Sequence, residues 1–320
     1  YFTLEKINRL LPVVQGCIFR EVVPIRGFRY IESDVKGAQG VDFDDADWQP
    51  FDVPGDWGGF DVDAWFRARI EIPESLRGKK LALHFLVGPR DGGGSTAETM
   101  LYVNGMPLQA IDYWHEDAVL PEELSSLAVL QIALKAWSGV YRVPVRRRFK
   151  EAQLVEIDEP TEAFFHLADT MAQAIAVLDE NDLRRVKLEQ ALNGAFQLVD
   201  FIRVKRLPFY TSIREALVYL NKCLHKLQRD ELKPTVTAVG HSHIDMAWMW
   251  RMERTRQKAQ RTFTTVLNLM RQYPEYRYSH SSPQLYEFVK HDAPELFARV
   301  KEAVSAGKWE VLGGSWIEMD

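Results

Sequence analysis

The sequence has few cysteines and no long uninterrupted hydrophobic run. Among its 320 residues only Cys17 and Cys223 are cysteines, and neither belongs to a Cys-x-x-Cys pair. Two isolated cysteines exclude a scaffold built on disulfides and favour the reducing cytoplasm. No stretch of about 18 apolar residues occurs, so we expect no membrane-spanning helix. No secretory signal peptide is visible either, although the first residue is Tyr1 rather than Met.

An excess of positive charge is also missing. The chain has 40 Lys and Arg residues against 45 Asp and Glu residues, which gives a formal net charge of -5. Proteins that bind nucleic acid through its phosphates usually present a basic surface, so this balance argues against a nucleic-acid partner. The length exceeds that of one typical domain, and we expect two or three domains. The composition leaves the oligomeric state open, a homo-oligomer included.

Residues 1–158 are predicted to form a short N-terminal helix followed by a β-sandwich. Leucine and isoleucine at helical spacing predict the helix over residues 1–16. Between about 18 and 158, short β-prone runs alternate with Gly, Pro and Asp clusters, and Asn104-Gly105 is typical of a hairpin turn. Many short strands without intervening helices indicate a sandwich of jelly-roll type. The strands are expected at 65–72, 81–87, 99–103 and 129–134, with a loop at 88–94.

Five tryptophans in this region allow two interpretations. They could form a carbohydrate-binding surface, or they could fill the core of the sandwich and its contact with a neighbouring domain. The second interpretation is favoured, because aromatic side chains in a sandwich mostly serve packing. The five are Trp48, Trp57, Trp65, Trp114 and Trp137.

Residues 159–233 are predicted to be a helical connector. Apolar residues recur there at three- and four-residue steps in three successive segments, as in amphipathic helices. The acidic stretch 179–182 separates the first two segments and offers an N-cap, and the third helix is predicted to start after Thr211-Ser212. The predicted buried faces are Phe164, Leu167, Ala168, Met171 and Ile175, then Leu183, Val186, Leu192, Phe196 and Val199, then Ile213, Ala216, Leu217, Leu220, Leu224 and Leu227.

Residues 234–320 alternate between β-prone and helical patterns. This order indicates a parallel sheet, and sites in such sheets lie at the carboxyl ends of the strands. One helix, over 253–272, is rich in Arg, Gln and Thr and has a predicted buried side that includes Phe263 and Met270. The remaining elements are strands at 236–239, 276–279 and 309–312 and helices at 283–291 and 294–306, the last ended by Gly307.

The stretch 240–250 concentrates candidate functional side chains directly after the first of these strands. His241, His243 and Asp245 occupy every second position, so an extended chain would turn them to one face. Imidazole and carboxylate are ligands that Zn²⁺ prefers. Trp248 and Trp250 add flat apolar surface suited to a sugar ring. A histidine beside an aspartate is often only a structural pair, but the second histidine, the tryptophans and the strand-end position favour a metal site.

Two segments resemble glycoside hydrolase family 38, the retaining α-mannosidases. Residues 240–248, Gly-His-Ser-His-Ile-Asp-Met-Ala-Trp, resemble the first metal-binding segment of that family. Residues 313–320, Gly-Gly-Ser-Trp-Ile-Glu-Met-Asp, resemble its nucleophile segment. The order of the two segments and the strands and helices between them also fit. The similarity is strong over 236–320, and the sandwich and connector are similar to those of the bacterial and cytosolic branch.

The resemblance implies a distorted (β/α)7 barrel with one divalent metal, usually Zn²⁺, that hydrolyses terminal α-mannosyl residues of mannose-containing oligosaccharides. By position, His243 and Asp245 match metal ligands, and Asp320 matches both a metal ligand and the catalytic nucleophile. Trp248 matches the aromatic residue under the mannose ring. His241 matches a position behind the ligands, from which it would orient one of them by a hydrogen bond.

The family pattern also requires a general acid and a further histidine ligand that lie beyond Asp320, and only the first strands of the barrel fall within the chain. We therefore expect a piece of a longer enzyme that is inactive by itself. Glu318 is equally compatible with a buried hydrogen-bonding role and with a substrate contact. Two alternatives stay open. One is a metal-dependent hydrolase of amidohydrolase type, in which His241 and His243 would bind the metal and Asp245 would not; the other is a non-catalytic carbohydrate-binding protein.

Overall fold

The structure of the chain is a computed structural model that describes residues 3–88, 97–140, 146–227 and 236–318. The predicted loop at 88–94 lies outside these residues except for its first position. In the described part, no helix is long and apolar enough to cross a membrane. The chain divides into two compact units: the first comprises Tyr1–Val23, Gly78–Ala82 and Leu154–Thr235, and the second Pro24–Arg77, Leu83–Gln153 and Val236–Asp320.

Helices dominate the first unit and the C-terminal part of the second, and strands dominate the region between residues 19 and 157. The helices are α1 (Thr3–Gln15), α2 (Glu122–Ser125), α3 (Glu159–Val177), α4 (Leu183–Leu198), α5 (Leu207–Leu227), α6 (Met252–Gln272), α7 (Pro283–Asp292) and α8 (Pro294–Ser305). The strands are β1 (Phe19–Pro24), β2 (Phe28–Ile31), β3 (Gln49–Phe51), β4 (Gly55–Trp57), β5 (Asp63–Glu71), β6 (Leu81–Leu86), β7 (Glu98–Val103), β8 (Met106–Ile111), β9 (Asp117–Val119), β10 (Val129–Trp137), β11 (Arg147–Phe149), β12 (Glu151–Ile157), β13 (Gly240–His241), β14 (Tyr278–His280) and β15 (Trp309–Val311).

The region of short strands folds into antiparallel sheets, as the sequence predicts. One sheet has the strand order β3-β2-β5-β10-β7-β8, another has the order β1-β12-β6-β9, and β11 pairs with β4. The β5–β10 ladder is the longest and runs from the pair Val129–Glu71 to the pair Trp137–Asp63. The predicted hairpin joins β7 to β8, and both Asn104 and Gly105 have positive φ angles, as a tight hairpin turn requires.

Four of the five tryptophans of this region are core residues. The side chains of Trp48, Trp57, Trp65 and Trp137 are buried, which confirms the packing interpretation for them. Trp114 differs, because 82% of its surface is exposed. A surface of stacked tryptophans for carbohydrate is therefore not present among these five residues.

The first unit is a helical core made by α1, α3, α4 and α5. Their buried side chains form one cluster. The face predicted for the first segment belongs to it, and so does the face predicted for the third segment except Leu227. The face predicted for α4 is only half right. Leu192, Phe196 and Val199 are buried, whereas Leu183 and Val186 are exposed.

Helix α5 begins earlier than the sequence pattern predicts. Its first residue is Leu207, whereas the predicted start was after Thr211-Ser212. Pro208 is tolerated in the first helical turn, because an N–H group at that position has no partner within the helix. Ser212 lies inside the helix, and its hydroxyl donates to the carbonyl of Phe209 at 2.7 Å.

The C-terminal part of the second unit contains a parallel sheet with the strand order β13-β14-β15. Helix α6 connects the first two strands, and α7 and α8 connect the second and third. This agrees with the predicted alternation of strands and helices. The residues described here form no closed barrel, so the (β/α)7 barrel stays a prediction.

The first strand of this sheet lies further along the chain than the prediction of 236–239. Pairing starts with Gly240 opposite Tyr278, and the backbone N–H of Gly240 donates to the carbonyl of Arg277 at 2.8 Å. Val236 and Val239 are exposed, because β14 begins only at Tyr278 and offers no partner to the residues before Gly240. The motif therefore starts inside the strand instead of after it.

Candidate functional site

The candidate site lies at the carboxyl ends of β13 and β14. His241 is the last residue of β13, and its ring Nδ1–H donates to the carbonyl of Ser279 on β14 at 3.0 Å. Gly240 lies against the ring of Tyr276, and an added Cβ would lie 2.2 Å from the phenolic oxygen, so the ring would have to move. The strand pairing thus fixes where the segment that follows His241 begins.

The structure brings His243 and Asp245 together. Nε2 of His243 lies 3.2 Å from Oδ1 of Asp245, and both side chains are partly exposed. Between them Ile244 turns the opposite way and is buried in the core that contains Phe263 and Trp309. This alternation places an imidazole and a carboxylate side by side, as the spacing in the sequence predicts. Their roles as metal ligands stay predictions.

Glu318 lies between the two histidines of the motif. Its carboxylate oxygens are 3.4 Å from Nε2 of His241 and 3.5 Å from Nδ1 of His243. Burial raises the pKa of the Glu318 carboxyl, but its neighbours, His241 and His243 among them, outweigh burial and hold that pKa below its usual range. Glu318 is thus a partly buried neighbour of both histidines, and its choice between a hydrogen-bonding role and a substrate contact stays open.

His280 is a site residue that the sequence pattern did not single out. It ends β14, is fully buried, and donates from Nδ1–H to the carbonyl of Ser242 at 3.0 Å. Burial lowers the pKa of His280 to about 4, so the ring is neutral at pH 7. Its Nε2 has no hydrogen-bond partner within the described segments. The feature of the sequence that could have identified His280 is its position directly after the β-prone run at 276–279.

The segment before Asp320 is held by the start of α7. Ser282 adopts a left-handed conformation with φ of 61°, which is uncommon for a residue with a side chain. Its hydroxyl accepts the backbone N–H of Glu318 at 2.8 Å. The indole N–H of Trp316 donates to the side chain of Gln284 at 2.9 Å, and the Gln284 N–H donates to the Trp316 carbonyl at 3.3 Å. These contacts hold residues 316–318 against the start of α7, and Glu318 thereby reaches the histidines of the motif.

The tryptophans of the motif differ in their surroundings. Trp248 has 63% of its surface exposed and meets Trp250 edge to face, with ring centroids 5.4 Å apart. The indole N–H of Trp250 donates to the hydroxyl of Thr255 at 3.0 Å. Trp248 therefore presents a free aromatic face, which is the geometry that its predicted role under a sugar ring requires.

The donor set fits a divalent cation only in part among the residues that the structure describes. In those residues no group of three His, Cys, Asp or Glu side chains could hold a metal ion. His243 and Asp245 supply the nitrogen and oxygen donors that Zn²⁺ prefers. The third predicted ligand and nucleophile, Asp320, lies outside the described residues, which end at 318. His243 and Asp245 thus have donor atoms of the expected kind, and the predicted set of three ligands also requires Asp320.

Two protein families match separate parts of the chain. The family described as "Glycosyl hydrolases family 38 N-terminal domain" matches residues 233–320. The family described as "Alpha-mannosidase, jelly roll domain" matches residues 32–136. The second match confirms that the sheets described above form a jelly-roll domain.

The relatives of this chain are named as mannosidases. Alpha-mannosidase G of Dictyostelium discoideum is 24% identical over 99% of this chain and 30% of its own length. Human alpha-mannosidase 2C1 is 25% identical over 86% of this chain and 26% of its own length. Alpha-mannosidase of Saccharomyces cerevisiae is 34% identical over 27% of this chain and 8% of its own length. The chain thus spans less than a third of the length of each of these relatives. Both motifs lie within residues 233–320, which match the N-terminal domain of glycoside hydrolase family 38, as their resemblance to that family predicts.

Proposed function

We propose that this chain belongs to a retaining α-mannosidase that removes terminal α-D-mannosyl residues from mannose-containing oligosaccharides. The observation that carries the proposal is the convergence of His241, His243, Asp245 and Glu318 at one edge of a parallel sheet within the family 38 segment. The mannosidase names of the relatives support the same substrate class. The two free cysteines support a cytoplasmic location for the enzyme.

We assign the nucleophile to Asp320. A retaining glycosidase needs one carboxylate that attacks the anomeric carbon and one acid that protonates the leaving oxygen. Asp320 lies two residues after Glu318, whose backbone N–H is bound by Ser282. The Glu318 carboxylate lies 3.5 Å from His243, so we expect Asp320 to belong to the same site. The general acid and a further histidine ligand are assigned to a part of the enzyme outside residues 1–320.

We assign one divalent cation, Zn²⁺, to His243, Asp245 and Asp320. When bound, such a cation would act as a Lewis acid towards the hydroxyls of the sugar. His243 and Asp245 already lie side by side, so the pair needs little rearrangement to bind one cation. Trp248 offers its exposed ring as the surface under the mannose ring.

The match of residues 233–320 to the family 38 N-terminal domain favours this assignment over an amidohydrolase-type site. In that alternative His241 and His243 would both bind the metal, and Asp245 would not. The contact between His243 and Asp245 supports an imidazole and a carboxylate as neighbouring ligands. We assign His241 a position behind the ligands, where its Nδ1–H donates to the Ser279 carbonyl.

A non-catalytic carbohydrate-binding role is the weaker alternative. It rests on the sandwich domain and on the presence of only the first strands of the barrel. Four of the five sandwich tryptophans are buried, which leaves little aromatic surface for a sugar there. The cluster of His241, His243, Asp245 and Glu318 at the sheet edge favours catalysis.

The test is hydrolysis of an aryl α-mannoside by the full-length enzyme that contains this chain. We expect a first product of retained α-configuration by proton NMR, and a loss of at least about 10³-fold in kcat for Asp320→Asn. We expect residues 1–320 alone to show no hydrolysis. Product of inverted configuration, or unchanged turnover by Asp320→Asn, would refute the assignment.

A further inference from the structure

We propose that Thr255 is a positioning residue for the loop 242–250, and that the jelly-roll domain anchors Thr255 through Arg254. The proposal rests on the function proposed above, because that function assigns roles to His243, Asp245 and Trp248, which lie in this loop. It adds two residues of α6 that touch neither the sugar nor the cation.

One buried hydroxyl bonds the loop 242–250 in its middle and at its C-terminal end. The side chain of Thr255 is fully buried, and its O–H is 2.5 Å from the carbonyl of Met246 and 3.2 Å from that of Asp245. The same oxygen accepts the indole N–H of Trp250 at 3.0 Å. A single hydroxyl thus fixes the backbone beside a predicted ligand and the ring that Trp248 packs against. Because Asp245 is partly exposed, its direction depends strongly on this backbone anchor.

The residue before Thr255 ties the start of α6 to the jelly-roll domain. Arg254 is buried and binds both carboxylate oxygens of Asp63, with N–O distances of 2.6 and 2.8 Å. It also donates to Asp61 at 3.0 Å, and Asp61 accepts the indole N–H of Trp137 at 2.9 Å. A two-pronged guanidinium–carboxylate contact restrains orientation as well as distance. The first turn of α6 therefore cannot rotate without breaking these bonds.

Two further contacts hold the same helix on strand β8. The hydroxyl of Thr265 accepts the backbone N–H of Ala110 at 3.0 Å. The side-chain amide of Asn268 donates to that of Gln109 at 2.7 Å. Helix α6 is thus fixed at its start and along its length, and it transmits the position of the jelly-roll domain to the loop 242–250.

The test compares Thr255→Val with Thr255→Ser and Thr264→Val in the full-length enzyme. Valine keeps the shape and removes the hydroxyl, whereas serine keeps the hydroxyl. Thr264 is the matched control, because it is equally buried on α6 and its hydroxyl has no hydrogen-bond partner among the described residues. We expect Thr255→Val to weaken Zn²⁺ binding by roughly 10-fold or more, measured by competition with a chromogenic chelator. Thr255→Ser should recover most of the affinity, and Thr264→Val should match the wild type.

A second measurement tests the mobility of the loop 242–250 in the metal-free enzyme. Hydrogen–deuterium exchange of the metal-free enzyme should be faster over residues 242–256 in Thr255→Val, and unchanged there in Thr264→Val. Asp63→Asn, which weakens the anchor of Arg254, should accelerate exchange of the same peptide. Equal Zn²⁺ affinity and equal exchange in Thr255→Val and the wild type would overturn the proposal. A wild-type enzyme that binds no Zn²⁺ would instead refute the metal assignment, and exchange alone would then decide the role of Thr255.

Discussion

Replacing Glu98 by Gln tests how firmly the jelly-roll domain holds helix α6. Glu98 lies on β7, and one of its carboxylate oxygens is 2.6 Å from the Lys258 ammonium. Its other oxygen accepts from the guanidinium of Arg261, which is 9% exposed. Gln keeps the size of the side chain and removes its charge, so it leaves the nearly buried Arg261 without a counter-charge.

The expected loss of stability follows from these exposures. Removing one partner of a fully buried ion pair costs about 3–5 kcal/mol, and an exposed pair is worth less than about 1 kcal/mol. Glu98 is 17% exposed and Lys258 is 23% exposed, so the pair lies between these limits. A Gln side chain can still accept one hydrogen bond. We expect a loss of about 2 kcal/mol in the free energy of unfolding, or roughly 4–8 °C in melting temperature.

The pH dependence of the stability distinguishes the contribution of the Glu98 charge from that of its side-chain shape. Burial raises the pKa of Glu98, but Arg261 and Lys258 outweigh it and hold the folded pKa below 4.5. The stability that the charge contributes is therefore complete above the unfolded pKa, and it is lost as the pH falls through the folded pKa. Thermal melts at pH 7 and pH 3 should show the difference between wild type and Glu98→Gln narrowing at low pH, with Glu71→Gln, an exposed change on β5, as control. A difference of equal size at both pH values would refute the role of the charge.

Two further changes test the strand ends beneath the site. Gly240→Ala places a methyl group 2.2 Å from the oxygen of Tyr276, so we expect about 1–3 kcal/mol of destabilisation in chemical denaturation, partly recovered by adding Tyr276→Ala. His280 has a folded pKa of about 4 and an unfolded value near 6.5, so wild-type stability should fall as the pH drops from 6.5 towards 4. His280→Gln does not titrate and should show a flatter profile between pH 7 and 5; an identical slope would contradict this.

The periodicity of the sequence predicts most elements of the fold, because a buried face leaves a repeat in the pattern. Helix α6 was predicted at 253–272 and runs over Met252–Gln272. The prediction of the first strand of the parallel sheet was wrong in position, because the run 236–239 has high β-propensity but no strand beside it among the described residues. Strand position depends on the partner's register, here that of Tyr278, and this information is not local in sequence.

For the site, the alternating spacing predicts the pairing of His243 with Asp245, and the structure shows their contact. The roles of these residues and of Asp320 stay predictions. The spacing of residues could not identify His280 or Thr255. His280 donates to the carbonyl of Ser242, which is distant in sequence, and Thr255 of α6 donates to the carbonyl of Met246 in the loop before that helix. Such contacts depend on tertiary packing, which brings α6 and β14 against the motif.

Helix α6 is rich in Arg, Gln and Thr, and it is nevertheless buried on two sides. Its apolar side, with Phe263 and Met270, packs against the parallel sheet, as its periodicity predicts. Its polar side is not solvated, because Arg254 and Arg261 bind carboxylates of the jelly-roll domain. A helix with two buried sides and only one apolar side can hold its neighbours through directional bonds. Directional bonds fix rotation as well as distance, so the polar side of α6 can set the orientation of the loop that carries His243 and Asp245.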